Sequence, residues 1–337
     1  MSEKINYNPE LVEEMQLSSS LEDLKTIQDF LRWMYSYFNA SDIFYGHGQD
    51  NAWDEAVQLT LSVLHLPQDV PTALYSSNLT YYEKQKLFHA AIQRVGTRTP
   101  IAYLTHNAWF CGLEFYVDER VIIPRSPIGE LIQDGFTGLL KDEPKRILDM
   151  CTGSGCIAVA CAARFPQAEI DAIDLSPDAL QVAEINIERH NALHRVFPIQ
   201  SDLFSALPPD QYNLIVSNPP YVDEEDLQQM PAEFYHEPTM ALEAGQDGLI
   251  LVKRILAQAA DYLTDNGVLV CEVGNSMVHL IEQFPTVAFN WIQFKQGGDG
   301  VFSLTKAQLL ANAALFEAYK SSAFSIISNR TASSDRE

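Results

Sequence analysis

The chain has 337 residues, 47% of them hydrophobic, with 22 Lys and Arg against 45 Asp and Glu, a formal charge of −23. This length exceeds one typical domain, and the charge argues against affinity resting on nucleic-acid phosphates while favouring basic protein partners. No apolar run reaches membrane-spanning length, residues 1–4 lack signal-peptide character, and the five cysteines show no Cys-x-x-Cys spacing, so we expect a cytoplasmic protein without a metal site. Along the chain, apolar residues recur at helical spacing at Leu24, Ile27, Leu31, Met34 and Phe38, and a second such pattern runs over 56–64. A third helix is expected over 81–95. Residues 1–98 therefore read as a helical domain. Next, 100–104 and 109–117 read as two short strands around Asn107, a β-hairpin linker within 99–125. From 126 to 320 apolar strands alternate with helical segments, the pattern of a doubly wound α/β sheet. Residues 267–272 are its fifth strand, and 291–294 with 301–304 form a terminal antiparallel pair. The serine-rich end, 321–337, carries no period and is expected to be disordered.

The first chemically informative segment is the strand–turn–helix over 146–160. Gly153 and Gly155 let the backbone approach a ligand, and the helix that follows begins with free N–H groups. A dinucleotide site would carry a third glycine for the pyrophosphate, but Cys156-Ile157-Ala158 follows instead. Asp149 at the strand end would repel a phosphate and suits a cationic ligand. The next strand ends in Asp174, placed to accept from ribose hydroxyls. Asp171 and Asp178 read as helix caps beside Ser176-Pro177. A third apolar stretch reaches Asp202 and Leu203, an acceptor for an adenine amino group and a cover for its ring. S-adenosylmethionine meets these demands together.

The strand at 212–217 then leads into Asn218-Pro219-Pro220-Tyr221. Two prolines fix φ and remove two N–H donors, so the turn's carbonyls can face a ligand. An amide or adenine nitrogen attacks poorly while its lone pair is in resonance. The Asn218 oxygen and the Pro219 carbonyl can hold both of its hydrogens, with Tyr221 against its flat face. The plain alternative for such a turn is the closing of a buried strand. His236 reads as structural, and a role for Glu272 is open.

The strings Asp149-x-Cys-Thr-Gly-Ser-Gly, Asp174-Leu-Ser-Pro, Asn218-Pro-Pro-Tyr and Glu237-Pro-x-x-Ala-Leu-x-Ala-Gly-x-Asp-Gly-Leu resemble the bacterial protein-glutamine methyltransferases. The resemblance covers about residues 20–320, and Pro124-Arg125-Ser126-Pro127 resembles the ribosomal-protein branch rather than the release-factor branch. It implies a Rossmann-like class I fold with a seven-stranded sheet, an N-terminal substrate-recognition domain, and S-adenosylmethionine as cofactor. The implied catalytic turn is Asn218, Pro219, Pro220 and Tyr221. The implied cofactor-binding set is Asp149, Cys151, Thr152, Gly153, Gly155, Asp174, Leu175, Asp202, Leu203 and Asn218, with Arg125 bordering the cofactor mouth. The implied substrate is a glutamine of basic large-subunit ribosomal protein L-three, free or in early assembly, with no stable nucleic-acid binding and no membrane. Rival readings are methylation of a release factor, methylation of DNA adenine, which would need a basic groove, and a non-catalytic cofactor-binding assembly factor.

Overall fold

The computed structural model describes residues 22–208, 211–295 and 297–320; the segment 321–337, expected to be disordered, lies outside them. Three helices open the described chain, α1 (Ile27–Asn39), α2 (Ala52–Val63) and α3 (Tyr81–Thr97). Each starts on a side-chain cap. Thr26 and Asp29 form a capping box at α1, and Thr80 and Glu83 form another at α3. Asn51 Oδ1 accepts the Trp53 and Asp54 N–H groups at 3.0 Å each to start α2. The apolar stripe Ile27, Phe30, Leu31, Met34 and Phe38 is buried with Ala56 and Leu59 of α2 and Leu87, Phe88 and Ala91 of α3. Each large side chain in this cluster contributes about 1.5–3 kcal/mol by leaving water.

Residues 100–104 do not form the expected strand. They belong to a short helix, α4 (Ile101–Thr105), which begins at Pro100 and ends at His106 with a φ of 50°. Ile101, Ala102 and Tyr103 are all buried. A short, continuous apolar run has no period that separates helix from strand, and here tertiary packing decided. The hairpin lies wholly downstream and does not turn at Asn107: β1 (Ala108–Phe110) pairs antiparallel with β2 (Leu113–Phe115). Its two turn residues, Cys111 and Gly112, have φ of 52° and 77°, the condition for a two-residue turn that matches strand twist.

Helix α5 (Ile128–Gln133) leads into strands β3 (Arg146–Met150), β4 (Glu169–Asp174), β5 (Val196–Gln200), β6 (Tyr212–Ser217), β7 (Leu263–Glu272), β8 (Asn290–Trp291) and β9 (Val301–Thr305). They form one seven-stranded sheet in the order β5-β4-β3-β6-β7-β9-β8, parallel except for β9, which lies antiparallel between β7 and β8. Its helices are α6 (Cys156–Arg164), α7 (Pro177–Arg189), α8 (Glu224–Gln229), α9 (Ile250–Tyr262), α10 (Met277–Gln283) and α11 (Lys306–Ala311). Alternating strand residues feed two cores: Ile147, Ile170 and Leu214 pack with α6, whereas Leu148, Ile215 and Leu269 pack with α9. Winding reverses between β3 and β6. The carboxyl ends of strands at such a reversal leave a crevice where ligands bind.

Neither of the two acids read as helix caps is one, although Asp178 does stand at a helix start. Asp171 lies inside β4, 5% exposed, and accepts from the Tyr212 hydroxyl and the Arg146 guanidinium, both at 2.6 Å. The cap of α7 is Ser176, whose Oγ accepts the Ala179 N–H at 3.2 Å, with Pro177 at the first helical position and Asp178 in the first turn. Among the described residues no helix is long and apolar enough to cross a membrane.

Candidate active site

The turn after β3 is built on left-handed backbone: φ is 60° at Cys151, 54° at Gly153 and 78° at Gly155. The two glycines differ in what they face. A Cβ on Gly155 would sit 3.2 Å from the Ala183 Cβ, so this glycine permits close packing on α7, while a Cβ on Gly153 would meet nothing within 4 Å among the described residues beyond its chain neighbours. Gly153 lines a pocket at the strand ends together with Cys151, Asp174, Leu175, Asp202, Leu203 and Asn218. Met150, Ile173, Ala179 and Leu251 supply apolar walls.

Asp149, Thr152 and Gly155, expected beside the cofactor, lie behind this turn and shape it. Asp149 is fully buried; one carboxylate oxygen accepts from the Thr152 hydroxyl and from the Ala158 N–H, the latter at 3.0 Å. Its other oxygen, Oδ1, is buried with no partner among the described residues. Burial pushes this carboxyl up to about 7, with the Thr152 and Ala158 bonds opposing the rise. Asp174 bridges two loops, accepting the Gly153 and Ser176 N–H groups at 2.9 Å each. Burial raises its pKa against the pull of those bonds. Asp202 faces the same pocket, but both of its oxygens are already held by Arg254, at 2.8 and 2.9 Å. It therefore meets a ligand as half of an ion pair.

Asn218 follows β6, whose last residue is bolted to β3 by a 2.9 Å bond from the Ser217 hydroxyl to the Met150 carbonyl. Asn218 also borders a second cavity of about 260 Å³, lined by Pro219, Tyr221, Arg125, Ile122 and Phe234 among others. Asn218 lines both spaces, and among the described residues nothing pairs with its carboxamide. Arg125, expected at the cofactor mouth, borders this second cavity instead. Its guanidinium is drawn there by Glu237, to which it donates at 2.5 and 2.8 Å, and it lies over the Phe234 ring.

The methyltransferase small domain family matches residues 136–247, which span both glycine turn and Asn218. The ribosomal protein uL3 glutamine methyltransferase of Francisella tularensis subsp. tularensis is 46% identical over 89% of this chain and 96% of its own length. That of Bordetella pertussis is 43% identical over 87% of this chain and 99% of its own. The chain belongs to this family of glutamine methyltransferases. Among solved structures, the hMettl16 catalytic domain bound to an RNA hairpin matches 66% of this chain and 80% of its own at 18% identity and a TM-score of 0.45.

The methyltransferase also has functional-site neighbours whose partners no local pattern in the sequence pointed to. The segment after Tyr221 is held by two carboxylates, Glu233 to the helical region and Glu237 to residues 123–125. Glu233, fully buried, accepts from the Phe44 N–H at 2.8 Å, from Arg94 at 3.1 Å and from Arg98 at 2.8 Å. Glu237 accepts from Arg125 and from the Ile123 N–H at 3.0 Å, and His47 Nε2 stands 3.7 Å away. Burial raises the Glu237 pKa, but Arg125 outweighs it and holds the carboxyl at about 2. A ring nitrogen of His236 bonds the Thr97 carbonyl at 2.9 Å.

Proposed function

We propose that this chain transfers the methyl group of S-adenosylmethionine to the side-chain amide nitrogen of a glutamine on large-subunit ribosomal protein uL3. The observation that carries the reading is the unpaired Asn218 carboxamide on the wall common to two cavities. The open space over Gly153 and the apolar walls with Asp174 and Asp202 suit the flat ring and ribose of that cofactor. When bound, the cofactor supplies an already activated methyl group. The protein's part is then to position the acceptor. The Asn218 side-chain oxygen and the Pro219 carbonyl accept the two amide hydrogens, favouring a pyramidal nitrogen with an available lone pair, while Tyr221 walls the acceptor's flat face. The nitrogen loses its extra proton to water after transfer. No metal is assigned. Incubation of purified uL3 with the chain and S-adenosylmethionine, followed by mass spectrometry of the glutamine-bearing peptides, tests the reading. A methylated release factor and an unmodified uL3 would overturn it.

In this reading residues 1–98 recognise the substrate, 99–125 link and 126–320 catalyse, in the cytoplasm. Asp174 carries cofactor affinity. Asp174→Ala is expected to weaken S-adenosylmethionine binding about tenfold or more with little change in turnover at saturating cofactor, since ribose contacts serve ground and transition states alike. Titration calorimetry on the folded variant reads the change directly.

The acceptor is free or early-assembly uL3. Residues 201–300 carry 3 basic and 15 acidic residues, and within them Glu224, Glu225 and Asp226 stand on α8, with Asp226 lining the acceptor cavity. A basic polypeptide is drawn to such a rim, whereas assembled RNA is repelled. Asp223 is set apart because its side chain caps α8, accepting the Asp226 N–H at 2.8 Å. The triple variant Glu224→Gln, Glu225→Gln, Asp226→Asn is therefore expected to lower kcat/KM for uL3 and flatten its salt dependence, leaving kcat unchanged. Equal rates on mature ribosomes and free uL3, with no salt effect, would remove the electrostatic account.

A further inference from the structure

We propose that Glu272 and Ser126 are positioning residues for the acceptor, holding the Tyr221 ring in place through a single buried carboxylate that accepts both hydroxyl hydrogens. The inference rests on the methyl-transfer reading for its function but on geometry for its form. Glu272 ends β7 and is 4% exposed. Its Oε2 accepts from the Ser126 hydroxyl at 2.5 Å and its Oε1 from the Tyr221 hydroxyl at 2.9 Å. The direction of these bonds follows from the neighbours. Ser126 Oγ already accepts the Ile128 N–H at 3.2 Å at the start of α5, which leaves its one hydrogen for Glu272. The Tyr221 hydroxyl then takes the other oxygen.

Tyr221 is restrained from two further sides. Its carbonyl accepts the Ser276 hydroxyl at 2.8 Å, and a Cβ on Gly274, where φ is 46°, would sit 2.4 Å from the ring. Backbone and ring face are thus set locally, and the hydroxyl end is tied by Glu272. The ring and Gly274 both line the acceptor cavity next to Asn218. Burial raises the Glu272 pKa, and the Ser126 and Tyr221 bonds with the nearby Arg125 charge oppose that rise. Ser126 comes from the segment before α5, Glu272 from the end of β7 and Tyr221 from the turn after β6. One carboxylate therefore joins three separate parts of the chain at the acceptor wall.

A glutamine at 272 offers one acceptor oxygen where two hydroxyls need one each. Glu272→Gln should lower kcat on uL3 about 10- to 100-fold, the range for losing a hydrogen bond to a charged group, while the Kd for S-adenosylmethionine stays within about twofold. Tyr221→Phe should lose a similar amount, and the double variant no more than the worse single one, since both remove the same tie. Should Glu272→Gln fail to fold, Ser126→Ala with Tyr221→Phe gives the same cycle through the shared carboxylate. A crystal structure of Glu272→Gln or Ser126→Ala reports the ring whether or not uL3 is the acceptor, so failure of this inference is distinct from failure of the substrate assignment. A displaced or doubled Tyr221 ring with non-additive kcat losses supports the proposal. A parent-like ring, parent-like kcat, additive losses or a parallel loss of cofactor affinity overturns it.

Discussion

Asn218→Ala is expected to turn over about 100- to 1,000-fold more slowly than the parent, the loss associated with removing one preorganised polar group from the reacting centre, while S-adenosylmethionine affinity changes little. The separation arises because Asn218 stands between two spaces and its carboxamide is spent on neither by internal bonding. Its oxygen is thereby free for the acceptor nitrogen. Asn218→Asp keeps an acceptor oxygen in the same place but adds a negative charge beside the methyl donor, so it should retain part of the activity lost in Asn218→Ala. Single-turnover rates with calorimetric cofactor affinities measure both effects. Parent-like turnover in Asn218→Ala would remove the residue from the acceptor site.

Arg94→Ala is expected to lower the unfolding free energy by about 3–5 kcal/mol, the cost of breaking a buried ion pair from one side. Arg94 has no exposed surface and donates to both oxygens of Glu55 at 3.1 Å, to Glu233 at 3.1 Å and to the Phe44 carbonyl at 2.8 Å. Its removal strands Glu55, only 4% exposed, because burial already pushes that carboxyl's pKa upward. Glu233 would keep Arg98 and the Phe44 N–H. Because Phe234 lines the acceptor cavity beside Glu233, the same variant should lose kcat/KM for uL3 at temperatures where it remains folded. Urea unfolding measures the first effect and methylation kinetics the second. In the parent, burial raises the Glu233 pKa, but Arg98, the Phe44 N–H and Arg94 outweigh it and hold the carboxyl at about 2 against an ordinary 4.5. A depressed carboxyl stabilises the fold above its ordinary pKa. That contribution is lost as pH falls from about 4.5 toward about 2, and a urea series across this window should show it.

Much of this protein was legible because its signals are local. The stripe from Leu24 to Phe38, the alternation of strand and helix after residue 126, the glycine turn and Asn218-Pro219-Pro220-Tyr221 each depend on residues within a few positions of one another. Backbone sterics and hydrophobic periodicity act over that same range. The helical region, the order of the parallel strands' chain segments and the place of the Asn218 turn follow from them. Local pattern was silent where a side chain has more than one possible partner. Asp149, Asp171, Asp174 and Asp202 look alike in sequence as acids at or near strand ends. Packing sends Asp149 behind the turn, Asp171 to Tyr212 and Arg146, Asp174 to the pocket, and Asp202 to Arg254. Residues 100–104 became a helix for the same kind of reason, since four adjacent apolar residues carry no period of their own. The buried charges near the second cavity are farther apart still. Glu237 meets Arg125 across 112 positions, and Glu233 meets Arg94 across 139. A buried charge must find its partner wherever the fold brings one; sequence alone determined the long periodic elements and the residues of the turn, and only the tertiary structure decided the short apolar segment at 100–104, which charges meet and which cavity each one faces.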